Sequence, residues 1–382
     1  MADERDEPRD REPRSWRIRR WAAPIAMAAS VAASISAVHL LADDDAVPSG
    51  APTGDARMPR FMLTVGHVGV GPEEERPAPW IRVGALSGSG RYRPVDSVRP
   101  PSSSAGEARE ILDGPGGTFV IASTRDEPCE SRLYRFGLTR DGHVTGLARL
   151  TGDVVPARVG GLAMTPDGDK IAYTTAPCGG DVETAPPPSA DVTVLDLGSG
   201  RRRGWGTPGP ALVGQIVWAE DGRTLGYVIS DVRPDAIPGD GSGSGGPGER
   251  SPRDIGNATV HALDTEAKGA DLRAGRVLFR QPDASTFVTS AVMGPDGRGG
   301  YGVLRKSDPV STVFFSFAEG EPMRVTRTIT PKPGVDQAVA LVASTDPPRY
   351  ACLSGTDPFG RALGGDLQDP LASPPCGAAY AY

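Results

Sequence analysis

The residues of this chain that are best suited to metal binding or redox chemistry are few and dispersed. Its four cysteines include no Cys-x-x-Cys spacing, and its four histidines are isolated from one another and from the cysteines. Since a zinc site takes clustered Cys and His ligands, we predict no metal and no cofactor. An even number of cysteines is more typical of disulfides in a protein outside the cytoplasm. The four are Cys129, Cys178, Cys352 and Cys376.

Motifs that bind phosphate or activate a nucleophile do not occur in the sequence. It contains no H-E-x-x-H, no G-K-[ST] phosphate loop and no G-x-S-x-G elbow, so we predict no catalytic residue. Paired carboxylates can serve glycoside or metal chemistry, but on exposed loops they are more often solvated charge. The charged residues that we consider candidates for a binding face are Asp126, Glu127, Glu130, Asp181, Glu183, Arg233 and Asp235.

The overall charge restricts the class of partner. The formal net charge is −7, with 41 basic residues against 48 acidic ones. Because neutralising nucleic-acid phosphates requires clustered positive charge, a mildly acidic chain argues against nucleic acid as a partner.

The first 59 residues divide into three segments of different composition. Residues 1–16 are dense in charge without apolar periodicity, which predicts a disordered tail. Residues 17–42 contain Trp21–Ala42, an uncharged run of 22 residues. As a helix this run rises about 33 Å, enough to cross a bilayer core. Residues 43–59 are rich in Pro, Gly and Ala and predict a linker.

The charges that flank the apolar run predict its orientation. Arg17, Arg19 and Arg20 lie just before it and Asp43–Asp45 follow it, so the positive-inside rule places the N-terminus in the cytoplasm. We therefore predict a single-pass cell-membrane protein with its main domain extracellular. A cleaved signal peptide, with Ser34 and Ser36 as small residues before the cleavage site, is the alternative and would give a secreted protein. A buried Ala-rich helix in a cytoplasmic protein is a third reading.

From Arg60 onward the sequence repeats one pattern at spacings of about 50 residues. An apolar strand is followed by a Pro-Asp-Gly type of turn and by a second apolar strand. Gly supplies a positive φ in this turn without a Cβ clash, and the Asp side chain caps it. The copies, clearest first, are Gly161–Thr175, Gly214–Ser230, Ser290–Leu304, Glu110–Thr124 and Ala338–Leu353.

Two further strands follow each copy, which makes four strands per unit and predicts propeller blades. The expected fold is all-β, a six-bladed β-propeller over residues 60–382, preceded by one N-terminal transmembrane or signal-anchor helix. Seven blades result if Leu212–Arg280 contains two. The first unit, Arg60–Pro100, has only three strands, and we expect residues 377–382 to supply its missing innermost strand.

Three stretches resemble the TolB-like and WD-repeat-like β-propellers of bacteria: TPDGDKIAY at 165–173, AEDGRTLGYV at 219–228 and DVTVLDLGSGRRRGW at 191–205. The layout is also similar to membrane-anchored propeller proteins of high-GC Gram-positive bacteria. The resemblance covers residues 59–382 and implies protein–protein contacts or a role in the cell envelope, with no catalytic residue to carry over. The Trp-Asp dipeptide of true WD repeats is absent.

The long insertions of the predicted propeller fall on one face, after the second strand of each unit. They are Gly69–Ala78, Arg125–Glu130, Ala176–Ala190 and Asp231–Asn257. A rigid scaffold commonly presents a site on such loops, although unstructured insertions would give the same pattern. All four cysteines map to this face, and of the three possible pairings we favour Cys129–Cys178 with Cys352–Cys376.

Two classes of function remain. The first is a non-catalytic, extracytoplasmic β-propeller, tethered through residues 21–42, that binds a protein or a cell-envelope component. The alternative is a propeller enzyme, of the lactonase or glycan-active type, with its site at the central channel. The predicted innermost strands are mainly apolar or small, which favours binding over catalysis. We expect a monomer.

Overall fold

The structure is a computed structural model. It describes residues 60–65, 80–86, 92–178, 189–232, 255–283, 285–307, 310–329, 336–341, 351–356, 362–363 and 379–381. All of them belong to one compact unit, Arg57–Tyr382. The tail, the apolar segment and the linker predicted for residues 1–59 lie outside the described residues. Within the described ranges, no helix has the length and hydropathy that crossing a membrane requires.

The described residues are nearly all β, with three short 3-10 turns and no α-helix, which confirms the predicted class. The strands in chain order are β1 (Phe61–Val65), β2 (Ile81–Leu86), β3 (Tyr92–Val98), β4 (Glu107–Asp113), β5 (Thr118–Arg125), β6 (Glu130–Leu138), β7 (Val144–Arg149), β8 (Arg158–Met164), β9 (Lys170–Ala176), β10 (Ser189–Asp196), β11 (Arg202–Trp218), β12 (Thr224–Val232), β13 (Ile255–Asp264), β14 (Arg276–Arg280), β15 (Thr286–Met293), β16 (Gly299–Ser307), β17 (Val310–Ala318), β18 (Arg324–Ile329), β19 (Asp336–Leu341), β20 (Ala351–Thr356), β21 (Ala362–Leu363) and β22 (Ala379–Ala381).

These strands form antiparallel sheets in which sequence neighbours pair. The spatial orders are β22-β1-β2-β3, β4 to β7, β8 to β14, β15 to β18, and β19 to β21. The seven-stranded sheet is two four-stranded units that share β11, a strand of 17 residues. Its first half pairs with β10 as the outer strand of one unit, and its second half pairs with β12 as the first strand of the next.

The first strands of consecutive units lie side by side. In the described residues β4 lies next to β22 and β1, β8 next to β4, β11 next to β8, β15 next to β11, and β19 next to β15. Consecutive antiparallel sheets that meet through their first strands are the arrangement of propeller blades, so the fold is propeller-like.

The Asp-Gly turns between first and second strands have the chemistry that the sequence pattern predicts. The Asp carboxylates accept hydrogen bonds from backbone N–H groups two or three residues further on, at Asp167, Asp221 and Asp296. The glycines that follow them, Gly168, Gly222 and Gly297, have φ values of +79°, +61° and +68°. Side chains disfavour this left-handed region, so the turn itself favours glycine at all three positions.

The core lies between neighbouring sheets and is built by alternation along each strand. In β5, Ile121 packs towards the first sheet while Val120 packs towards the third, and both are fully buried. Between the first two sheets the Trp80 ring meets the Tyr134 ring edge-on at 4.8 Å. The Trp80 indole N–H donates to the Gly106 carbonyl at 3.1 Å, which satisfies the one polar atom of this large buried side chain.

The two ends of the described chain meet in the first sheet. β22 pairs with β1 in the register Phe61↔Ala381 to Leu63↔Ala379, and the Arg60 N–H donates to the Ala381 carbonyl at 2.7 Å. Ala379 is buried. β22 lies within the segment 377–382 and is the first strand of this sheet, next to the first strand of the second sheet.

One buried histidine packs inside the fourth unit. His261 stacks on Tyr227 with ring centroids 5.6 Å apart, and its Nδ1 lies 3.0 Å from the Gly275 carbonyl oxygen. Burial lowers the pKa of His261; the Gly275 carbonyl and Asp271 oppose this shift, whereas Arg280 and Arg273 reinforce it. His261 is therefore a packing residue that is neutral at pH 7.

Candidate functional site

The face opposite the Asp-Gly turns carries the loops between second and third strands. The first of these loops that is described in full joins β5 to β6, and the next begins after β9. Cys129 and Cys178 join the two loops by a disulfide with an S–S distance of 2.13 Å and a Cα–Cα distance of 5.3 Å. This is the predicted pairing. The side chains of Cys352 and Cys376 lie outside the described residues.

Beside the disulfide, one carboxylate is held between two guanidinium groups. The Glu130 Oε1 atom accepts from Arg125 Nη2 and from Arg132 Nη2, each at 2.6 Å. The sheet register explains this contact, because Arg125 pairs directly with Glu130, and Arg132 follows two residues later on the same side of β6. Glu130 and Arg132 are only 12% and 13% exposed, so this ion pair is largely screened from water.

A second carboxylate joins the arginines of two neighbouring sheets. The Asp126 carboxylate lies 3.2 Å from Arg158 Nη2 at the start of β8 and 3.9 Å from Arg109 Nη2 on β4. Arg109 also contacts Glu107 at 2.7 Å. We call these four arginines and three carboxylates (Arg109, Arg125, Arg132, Arg158, Glu107, Asp126 and Glu130) the arginine cluster. It unites β4, the β5–β6 hairpin and β8.

A buried hydroxyl network fixes the strands beneath the cluster. The Ser131 Oγ donates to the Ala157 carbonyl at 2.7 Å, accepts from the Val159 N–H at 3.0 Å and lies 2.9 Å from the Thr124 Oγ1. Ser131 and Val155 also exchange both backbone hydrogen bonds, at 2.7 and 2.9 Å. The start of β8 is thus attached to the start of β6, which positions Arg158 near the β5–β6 loop.

Three of the arginines have a buried N–H group that makes no hydrogen bond within the structure. These atoms are Arg125 Nε, Arg132 Nη1 and Arg158 Nε. A guanidinium has five N–H donors in a fixed plane, and Glu130 and Asp126 occupy only some of them. Leaving such a donor unpaired costs free energy, and these three atoms are enclosed by the protein and are not open to solvent.

The structure therefore brings part of the predicted binding face together. Asp126 and Glu130 lie in the arginine cluster, and Glu127 is exposed on the same loop. Asp181, Glu183, Arg233 and Asp235 lie outside the described residues. Reasoning from the sequence did not find the four arginines. Arg125 is the first residue of the predicted loop and Arg132 follows its end by two residues, which was an available signal. Nothing in the linear pattern connects Arg109 and Arg158 to this loop.

The first strands also carry polar groups that sequence reasoning did not single out. Each of β4, β8, β11 and β15 has a register shift at a corresponding point of its length. Glu110 lies at the register shift of β4. Burial raises the pKa of its carboxyl, while a hydrogen bond from the Gly161 N–H lowers it. Between β11 and β15, the Ser290 hydroxyl donates to the Gln215 Oε1 at 2.6 Å.

A cavity of about 230 Å³ adjoins this Gln215–Ser290 pair, lined by residues of β11, β12 and β15. Its walls combine apolar side chains such as Val228 and Phe287 with the Thr289 and Ser230 hydroxyls. In the described part of the chain, no group of three or more His, Cys, Asp or Glu side chains converges as a metal site would require.

Comparisons with known proteins give no family for the chain. No family model matches it, and no curated protein matches it. Among solved structures, a prolyl endopeptidase matches with 16% identity and a TM-score of 0.38 over 67% of this chain and 35% of its own. Porphyromonas gingivalis dipeptidyl peptidase 4 matches with 11% identity and a TM-score of 0.39 over 74% of this chain and 44% of its own.

The β-propeller domain of the Trilobed protease from Pyrococcus furiosus matches with 12% identity and a TM-score of 0.34, over 67% of this chain and 70% of that one. This chain spans less than half the length of the prolyl endopeptidase and of the dipeptidyl peptidase that it matches. At these identities and TM-scores the similarities support no inference about activity, substrate or partner.

Proposed function

We propose that this chain is an exported, membrane-tethered β-propeller that binds a protein or an envelope component through its loop face and catalyses no reaction. The observation that carries the proposal is the Cys129–Cys178 disulfide, which joins two loops of that face directly beside the arginine cluster. Stable disulfides are typical of proteins outside the cytoplasm. The N-terminal Arg, apolar and Asp segments of the sequence supply the matching export and anchoring signal.

The proposed propeller has six blades. Four-stranded units account for the series β22 to β3, β4 to β7, β8 to the first half of β11, the second half of β11 to β14, and β15 to β18; β19 to β21 begin the sixth. Pairing of β22 with β1 supports a ring whose first blade combines strands from both ends of the domain. In such a ring β22 covers the edge of β1 that the first sheet would otherwise expose.

The test is the location and thiol state of the full-length protein in intact cells. We expect added protease to digest the propeller from outside, the full-length mass to include residues 1–42, and Cys129 and Cys178 to react with a thiol reagent only after reduction. Protein that resists external protease and has reactive thiols without reduction would contradict the proposal. A mature protein that begins after residue 36 would support secretion and exclude the tether.

A central-channel enzyme is a second candidate because of Glu110. Glu110 lies on β4, a first strand, and burial raises the pKa of its carboxyl, which is the direction of shift that a general acid requires. If this candidate is right, the protein hydrolyses a member of a lactone or glycoside panel, and Glu110→Gln reduces kcat while leaving the unfolding transition unchanged. Wild-type protein that turns over no member of the panel counts against it.

A further inference from the structure

We propose that the cavity between β11, β12 and β15 binds a terminal, uncharged sugar unit of an envelope glycan. This inference rests on the proposed function and names the chemical class of the envelope component. The cavity measures about 230 Å³. Pockets for drug-sized ligands measure about 300–1,000 Å³, so this one suits a single ring with its substituents rather than an extended chain.

The cavity lies towards the loop face. On β15 it is lined by Phe287–Ala291, near the start of the strand, and on β12 by Val228 and Ser230, near the end. Because the Asp-Gly turns join the other ends of the first and second strands, these residues lie on the side of the loops. Gly214 is exposed and Gln215 is half-buried, so the cavity is open to solvent.

The lining selects against a charged ligand. The described residues that line the cavity include no ionisable side chain. Arg305, the cross-strand neighbour of Phe287, lies outside this lining. Transfer of an ion from water into such a cavity is costly without a countercharge, so an uncharged ligand is favoured.

The lining also combines apolar surface with neutral hydrogen-bonding groups, and a sugar ring presents the same combination. The Val228 and Phe287 side chains can contact the C–H groups of the ring, while the Ser230 hydroxyl and the Gln215 amide suit its hydroxyls. Within the described part of the chain, the Ser230 side chain makes no hydrogen bond to another residue. A purely apolar ligand would displace water from this hydroxyl without replacing its hydrogen bonds.

Two hydrogen bonds order the polar side of the cavity. The Ser290 hydroxyl donates to the Gln215 Oε1 at 2.6 Å, which orients the amide between β11 and β15. The Thr289 hydroxyl donates to the Val303 carbonyl at 3.2 Å, which fixes its rotamer. Because these groups are already ordered, a ligand loses less free energy to ordering than it would at a mobile loop.

The experiment measures binding of N-acetylglucosamine and of glucose to the purified, oxidised full-length protein by saturation-transfer difference NMR. The detergent must have no sugar head group. We expect a Kd of about 1 mM, since the ligand has few atoms. Glucosamine and glucuronate, which carry a positive and a negative charge, should bind about tenfold more weakly because the lining offers them no countercharge. One anomer of methyl N-acetylglucosaminide should bind like the free sugar, because a terminal unit of a glycan carries such a glycosidic bond.

Three variants test whether binding occurs in this cavity. Ser230→Leu places a larger apolar side chain in it and should abolish binding. Ser230→Ala and Phe287→Leu should each weaken binding about fivefold, the loss expected for one neutral hydrogen bond or one aromatic contact. The matched controls are Ser97→Ala, at an exposed site on β3, and Phe314→Leu, at a half-buried site on β17 outside the lining. Both should bind like the wild type, and unchanged thermal unfolding of each variant shows that folding is intact.

The inference is overturned if neither uncharged sugar binds, if the charged sugars bind as tightly, or if Ser230→Leu binds like the wild type. A control variant that weakens binding as much as its counterpart in the cavity would also overturn it. Failure of both methyl glycosides to bind would exclude a glycan as the source of the sugar. These results are independent of the cellular test. An exported, disulfide-bonded protein that binds no sugar refutes only this inference, and a cytoplasmic protein that binds the sugars refutes the proposed export.

Discussion

Removing the Cys129–Cys178 disulfide should destabilise the fold mainly through the unfolded chain. The two cysteines are 49 residues apart in sequence, and the bond joins loops of neighbouring sheets. In the chain-entropy model, opening a closed loop of about 50 residues raises the entropy of the unfolded state enough to cost about 4 kcal/mol at 25 °C. Both cysteines are only half-buried, so replacing them with alanine removes little core packing.

The assay compares urea unfolding of the wild type and of the double variant Cys129→Ala/Cys178→Ala by circular dichroism. We expect the free energy of unfolding to fall by about 4 kcal/mol, with a lower midpoint and a somewhat steeper slope, because the unfolded chain exposes more surface without the bond. Dithiothreitol should produce a loss of the same size in the wild type. In the double variant, dithiothreitol can change stability only through the remaining cysteines, so this variant is the control for the reductant.

A loss below about 1 kcal/mol would refute the reasoning, because the loop would then be ordered or compact in the unfolded chain without the disulfide. A loss far above 4 kcal/mol would refute it differently. It would mean that the bond supports native packing of the second and third sheets rather than limiting the unfolded ensemble.

Three further perturbations follow from single sites. Ser131→Ala should lower the free energy of unfolding in urea by about 2 kcal/mol, because several buried groups lose their hydrogen-bond partner. The control, Ser97→Ala at an exposed site, should change it very little. Equal effects of the two substitutions would contradict a stabilising role of the Ser131 network. Gly222→Ala, at φ +61°, should lower the free energy of unfolding by about 1 kcal/mol through backbone strain. Gly152→Ala should leave it unchanged, and a larger loss at Gly152 than at Gly222 would contradict the role of glycine in the turn. Folding lowers the pKa of His261, so as the pH falls the unfolded chain binds a proton at this residue before the folded chain does. The contribution of His261 to stability should therefore be complete above pH about 6.5 and decrease below it. Thermal melts of His261→Gln from pH 8 to 5 should lose this component, and equal slopes in variant and wild type would show that His261 is not its source.

Local sequence patterns were sufficient for the strands and the turns. Apolar residues alternate in the way a half-buried strand requires, and Asp-Gly is one of the few dipeptides that close the tight turns seen at Asp167, Asp221 and Asp296. These signals depend only on residues close in sequence. The repeat spacing then indicated how many strands each unit contains, since each unit must bury its faces against neighbours.

The continuous β11 was not visible in the sequence. The stretch 207–210 (Thr-Pro-Gly-Pro) has the composition of a turn. It nevertheless lies within a single strand that passes from one unit into the next. Pro lacks the N–H that a strand ladder normally uses. It is tolerated here because this stretch changes partner from β10 to β12, where the paired register is interrupted.

The sequence by itself therefore determined the all-β class, the repeated turns and the cysteine pair that lies one repeat apart. Only the tertiary structure decided that Arg109, Arg125, Arg132 and Arg158 meet around Asp126 and Glu130. Those arginines come from three separate segments of the chain, and their proximity depends on strand register and on how one sheet stacks against the next. The sequence pattern along one strand does not predict such contacts, because it indicates which residues are buried and not which distant side chains a charged residue meets.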